Sequence, residues 1–136
     1  MPRETGGSDR SYRRLHAWHA CHALTLAVYS LTRRWPGEER YGLTSQVRRA
    51  SVSAEANIAE GAAKRGAREF ARYLGIANGS LSEVECLFEI ARDLHYMNEV
   101  EWQTIEGARR VAAQRTSRLL TAIRGQSEST PGLRPS

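Results

Sequence analysis

Apolar and polar positions along this chain recur at steps of three and four almost from end to end, and no useful stretch alternates with the two-residue step of a strand. The spacing predicts four helices. The first is expected from Tyr12 to Arg34, with Leu15, Trp18, Cys21, Leu24, Val28 and Leu31 on its apolar face. Pro36 ends it, because the residue before a proline disfavours helical geometry. The second, Tyr41 to Gly61, places Leu43, Val47, Ala50, Ala54, Ile58 and Gly61 on one seam, with Gly61 and then Gly66 closing it. The third begins near Ala67, where Gly66 serves as N-cap and Glu69 stands as half of a capping box. Its core face is Phe70, Leu74, Ala77, Leu81, Val84, Phe88 and Ala91. Asn98 with Glu101 caps the fourth helix, which carries Val100, Ile105, Ala108, Ala112, Leu119 and Ile123. The short connection from His95 to Asn98 forces helices three and four into an antiparallel hairpin.

Two features stand beside the core pattern. Gln46, Arg49, Ser53, Asn57 and Glu60 repeat one position away from the seam of helix two, so amide, guanidinium, hydroxyl, amide and carboxylate form a polar line. This line is expected to be a structural network, buried within the bundle or between subunits. Ala71, Gly75 and Gly79 lie four residues apart on helix three. A glycine inside a helix costs about 1 kcal/mol relative to alanine, so the pair points to close approach of another helix.

The chain has 136 residues, enough for one domain with a real core and too few for two. The expected organisation is a disordered segment at 1–11, an all-α bundle at 12–124, and a disordered tail at 125–136, where GQSESTPGLRPS lacks the apolar content to fold. No run approaches the roughly 20 apolar residues that cross a bilayer, and the N-terminus has no apolar leader. The expectation is a cytoplasmic protein with no membrane partner. Cys21 and Cys86 sit inside helical patterns without zinc-finger spacing, as two reduced, buried thiols.

Net charge is +5, and Lys64 is the only lysine, so the basic side is almost wholly arginine. The planar guanidinium fork suits phosphate, and the same usage follows from a GC-rich genome. Charge is also segregated, with residues 83–106 summing to −6 and residues 109–124 to +5. Such polarity steers nucleic acid to one surface or matches surfaces of neighbouring subunits. Lys64, Arg65, Arg68 and Arg72 surround the expected start of helix three, where backbone amides also favour anions, and form the first nucleic-acid candidate beside the alternative of a solvated face. Arg109 and Arg110, with Arg115, Arg118 and Arg124, form a second basic surface, which can instead pair with the acids of helix three.

The chemistry of enzymes is missing from the pattern. There is no phosphate-cradling glycine loop, no nucleophile elbow and no Glu-x-x-His pair, so no catalytic residue, cofactor or metal is expected. His16, His19 and His22 wrap around the first helix and reach a common metal only in pairs. Trp18 is expected in the core, and Trp35, beside Arg33 and Arg34, is the tryptophan placed to stack on a base.

The motifs themselves resemble a known family. YGLTSQVRRA at Tyr41 to Ala50, NIAEG at Asn57 to Gly61 following Ser53, and GSLSEVE at Gly79 to Glu85 are similar to the 23S rRNA intervening-sequence proteins, the four-helix-bundle protein family. The resemblance spans about Leu15 to Ile123. It includes LHAW on helix one, Trp35-Pro36 with Glu39, and the turn from Asp93 to Met97. Ala54 and Glu55 stand where the family carries a hydrophobic residue and a proline, and Gly66 where it carries a serine. The resemblance implies a non-enzymatic, antiparallel up-down four-helix bundle that assembles as a ring-shaped homopentamer. A diverged branch resembles the accessory subunit of diversity-generating retroelements, which binds nucleic acid and a reverse transcriptase. The expected function is an oligomeric scaffold that binds nucleic acid, RNA before DNA, through its arginines, with the retroelement accessory role as the alternative.

Overall fold

The periodic segments are four α-helices in the computed structural model, which describes residues 11–129 and their side chains as far as residue 126. They are α1, His16–Thr32, α2, Leu43–Ala62, α3, Ala67–Asp93, and α4, Glu99–Ser129, and no strand occurs among the described residues. The expected disordered segments lie outside the described residues at 1–10 and 130–136. Their described ends are ordered: Ser11–Arg14 is a 3-10 turn, and α4 continues through Gly125 to Ser129. Buried Leu120 and Ile123 anchor that last stretch, and one glycine costs a helix only about 1 kcal/mol.

α1 starts later than the spacing predicts, because Leu15 is extended at φ −89° and ψ 123°. Tyr12 nevertheless joins the fold, its ring packing edge-on against Trp18 at 4.9 Å. Side-chain pairs fix how the helices lie together. Along α1 and α2, Thr32 meets Arg48, Thr25 meets the carbonyl of Ser51, and His22 meets Glu55. Ser53 of α2 meets Ser80 of α3, and Arg109 of α4 meets Glu85 of α3. Cys21 of α1 meets Thr116 of α4, and Arg34, two residues past the end of α1, meets Glu101 of α4. Each helix thus packs on two others around one core, in which Leu24, Val28, Val47, Ile58, Leu74 and Phe88 are fully buried. Each such side chain contributes about 1.5–3 kcal/mol through removal from water.

Gly61 does not end α2. It is buried one residue before the end, and an added Cβ would lie 2.7 Å from Cβ of Tyr73 and 3.0 Å from the Phe70 ring. Its lack of a side chain lets the ends of α2 and α3 touch. Gly66 is the N-cap of α3 at φ 89°, a backbone region that favours glycine. Glu69 does not return to it as a capping box, because its carboxylate holds Arg72 instead. By contrast, the Asn98 and Glu101 side chains each accept the other residue's backbone N–H, at 2.8 and 2.9 Å, as expected.

The connection before α2 is tied by Glu39. One carboxylate oxygen accepts the Leu43 amide at 2.9 Å, and the other accepts the Tyr96 hydroxyl at 2.7 Å from the α3–α4 turn. Gly42 makes room for it, since a Cβ there would come within 2.7 Å of that carboxylate. These bonds favour the ionised carboxylate and the neutral phenol. The Leu43 amide and then Tyr96 hold Glu39 below its ordinary pKa, and hydrogen bonding to Glu39 pushes Tyr96 up to about 12. A depressed carboxylate stabilises the fold above its unfolded pKa and loses that effect as pH falls through the folded value. A raised phenol stabilises the fold below pH 10 and loses the effect as pH rises toward about 12. Melting of Glu39→Gln compared with the parent should therefore show a deficit at neutral pH that shrinks at both extremes. A deficit that does not vary with pH would remove the latch.

Cys21 is buried as expected, while Cys86 is exposed, against expectation, because its position faces outward on α3. Burial pushes the Cys21 thiol up to about 12, with Thr116 opposing and the Glu55 charge adding to the rise. Iodoacetamide at neutral pH should label Cys86 and spare Cys21 until the protein unfolds. Equal labelling of both native thiols would contradict this packing.

Candidate nucleic-acid interface

Residues 63–66 connect α2 to α3 and turn the start of α3 outward, so Lys64, Arg65, Arg68 and Arg72 are all exposed. They are not equally available. Arg72 donates to both Glu69 oxygens at 3.1 and 3.2 Å and lies over the Tyr73 ring at 4.7 Å. Hydrogen bonding raises the Arg72 pKa and lowers that of Glu69, so both stay charged. Lys64 approaches the same ring at 5.5 Å. Tyr73 thereby holds two cations near the connection. Arg65 and Arg68 have no partner among the described residues, and they are the cations best placed to accept a phosphate.

The second basic surface is divided by burial. Arg109 is not a nucleic-acid contact: it is 7% exposed, and it donates to both oxygens of Glu106 at 2.8 and 2.7 Å. Glu85 of α3 adds a carboxylate at 3.4 Å, so the pairing with helix three proposed from the charge pattern is realised at this residue. The Glu106 hydrogen bonds raise the Arg109 pKa. Arg110 is open, with its side chain 70% exposed, and reaches Glu106 only at 3.4 Å. Arg115, Arg118 and Arg124 are exposed.

The polar line of α2 is not buried within the protomer. Gln46, Arg49 and Glu60 are exposed, and Ser53 and Asn57 are half-buried. Asn57 donates to the Ser53 carbonyl and hydroxyl at 2.8 and 3.1 Å, and Ser53 bonds Ser80 at 2.9 Å. Arg49 reaches only Ser45, at 3.1 Å. The line fails as an internal network because it flanks the seam on its outer side, along a shallow groove with Glu83 of α3. Gly75 and Gly79 are also exposed, and a Cβ added at either would meet nothing within 4 Å, so no helix of the same protomer uses them.

Trp35 is buried and tilts against Tyr96 with ring centres 5.8 Å apart, so it cannot stack on a base. Trp18 is half-buried at the core margin and stacks on His22 at 4.8 Å. His22 meets Glu55 at 2.9 Å, and His19 meets the Arg13 carbonyl at 2.6 Å. Among the described residues no three His, Cys, Asp or Glu side chains converge to hold a metal. No described helix is long and apolar enough to cross a membrane. The arrangement offers exposed guanidinium groups near one helix junction, a group whose planar fork suits phosphate oxygens.

Against known proteins, the family model of the 23S rRNA-intervening sequence protein matches residues 13–120. The fold is similar to the crystal structure of a protein of unknown function from the S23 ribosomal protein family of Bacteroides thetaiotaomicron, with TM-score 0.72 and 17% identity over 77% of this chain and 95% of that one. No curated protein sequence matches.

Proposed function

We propose, from the premise that this chain belongs to the 23S rRNA-intervening sequence protein family, that it is a non-enzymatic scaffold whose arginines bind the phosphates of RNA. The observation carrying this reading is the pair Arg65 and Arg68, exposed at the start of α3 without a carboxylate partner, beside Lys64. The helix pairs support an antiparallel up-down bundle, and the open glycine face of α3 supports assembly into a homopentameric ring. In such a ring each copy repeats the basic patch, so a long strand engages several at once. The cytoplasm, where RNA is available, is the corresponding location.

Salt dependence tests the reading. Retention of single-stranded RNA should weaken with a log-log slope of about −0.7 per phosphate contact, and retention of duplex DNA with about −0.9. Replacing Arg65, Arg68 and Arg72 by glutamine should flatten the slope by about 0.7 for each arginine that touches a phosphate, with an unchanged melt. Phosphate contacts position a strand without reading its bases, so shuffled sequences should bind alike. Absence of salt-dependent retention, or an unchanged slope in the triple variant, would reject this surface.

A further inference from the structure

The structure assigns a second ligand site to this chain: the cleft between the start of α1 and the late turns of α4 is a pocket for a nucleoside phosphate. The cleft has a volume of about 470 Å³, within the 300–1,000 Å³ of small-molecule sites. Arg14, Arg115 and Arg118 line it together with His16, over a floor that includes Leu15 and Leu119. Two elements distant in sequence therefore bring three guanidinium groups to one concavity. None of the three has a partner among the described residues. Of the two described helices that form the cleft, α1 contains no acid and α4 contains none between Glu106 and Glu128. The arginines of α4 that do meet carboxylates, Arg109 and Arg110, lie earlier on the helix, against Glu106 and, for Arg109, Glu85.

The composition of the cleft selects the ligand. Three forked cations exceed what one carboxylate uses, and they match the several oxygens of a phosphate, each open to bidentate bonding. Inorganic phosphate alone would leave Leu15 and Leu119 without a counterpart. A nucleobase covers such a floor, and its flat face stacks on imidazole or guanidinium planes. The ligand is thus a nucleoside phosphate, either free or as a unit of an RNA strand. Ser11, in the turn that carries Arg14, donates to the Ala62 carbonyl at the end of α2 at 3.5 Å, so the cleft and the Lys64 to Arg72 connection lie at the same end of the bundle. A strand held at the connection can reach the cleft, and only this strand-bound source rests on the function proposed above.

Titration calorimetry with the full chain, using AMP, inorganic phosphate and a short single-stranded RNA as separate probes, tests the assignment. AMP should bind, and inorganic phosphate should bind at least about tenfold more weakly. Arg115→Gln and Arg118→Gln should each weaken AMP by about tenfold to a hundredfold, the effect of removing a charge-assisted hydrogen bond, with an unchanged melt because both side chains are exposed. The glutamine triple variant at Arg65, Arg68 and Arg72 should leave AMP binding intact while RNA retention falls. If AMP binds and RNA does not, the pocket stands as a free-nucleotide site and the RNA reading fails. Failure of AMP to bind, equal binding of phosphate and AMP, or AMP affinity unmoved by both arginine variants would overturn the pocket, whatever RNA does.

Discussion

Arg109→Ala should lower the unfolding free energy by about 3 to 5 kcal/mol, the usual consequence of removing one partner of a buried ion pair. Glu106 would remain with its side chain only 5% exposed, having lost two hydrogen bonds of 2.8 and 2.7 Å. Glu85 would lose its contact but is half open to water, so little of the effect comes from there. Arg110 can draw closer to Glu106 from 3.4 Å, which places the expected value toward the lower end of the range. Urea unfolding followed by helical circular dichroism measures this, and the midpoint should fall without a change in slope. The paired substitution Arg109→Met with Glu106→Leu removes both charges and should be near neutral, because the desolvation of the two ions disappears together with their attraction. A loss below about 1 kcal/mol in the single variant would mean that the pair is solvated. The same variant should leave the salt slope of RNA binding unchanged, since Arg109 is not presented to a ligand.

This residue also shows how far the fold could be read beforehand. The expected seam positions Leu43, Val47, Ala50, Ala54, Ile58 and Gly61 are all buried, as are Leu74, Ala77, Leu81, Val84, Phe88 and Ala91 with Phe70 half-buried at the end of the row, because apolar spacing reports which face of a helix leaves water. On α4 the buried line is Ile105, Arg109, Ala112, Thr116, Leu120 and Ile123, while Val100 is 72% exposed. Arg109 stands four residues after Ile105 and three before Ala112, so the period placed it in the core. Its charge suggested a surface, and Glu106 one turn earlier was the sign that the period should prevail. The polar line of α2 was legible as a pattern, but its burial was not, since spacing cannot tell which side of a seam a neighbouring helix covers. The Arg14, Arg115 and Arg118 cleft depends on residues about a hundred positions apart and could emerge only from the tertiary arrangement.

Arg49→Ala should separate the properties of the protomer from those of the assembly. In the protomer Arg49 is exposed and bonds only Ser45, one turn earlier on α2. A substitution at such a site ordinarily changes stability by less than about 0.5 kcal/mol. The α2–α3 groove beside it is lined by the half-buried Ser53 and the exposed Glu83, and the open Gly79 and Gly75 stand four and eight residues before Glu83 on α3. If neighbouring subunits of the proposed pentamer meet along this groove, Arg49 becomes a buried interfacial arginine, a residue type whose truncation commonly costs 2 kcal/mol or more of binding at each interface. A closed ring repeats that cost at every contact. The expected result is a parent that elutes as a pentamer by light scattering and an Arg49→Ala variant that dissociates at micromolar concentration while keeping its helical signal. Gly75→Ala with Gly79→Ala provides the second arm. In an isolated protomer these changes stabilise the helix by about 1 kcal/mol each, because nothing lies within 4 Å of the added methyl groups. Across a tight subunit contact they would weaken assembly instead. A monomeric parent would reject the ring, and a pentamer indifferent to both variants would move its interface away from α2 and α3.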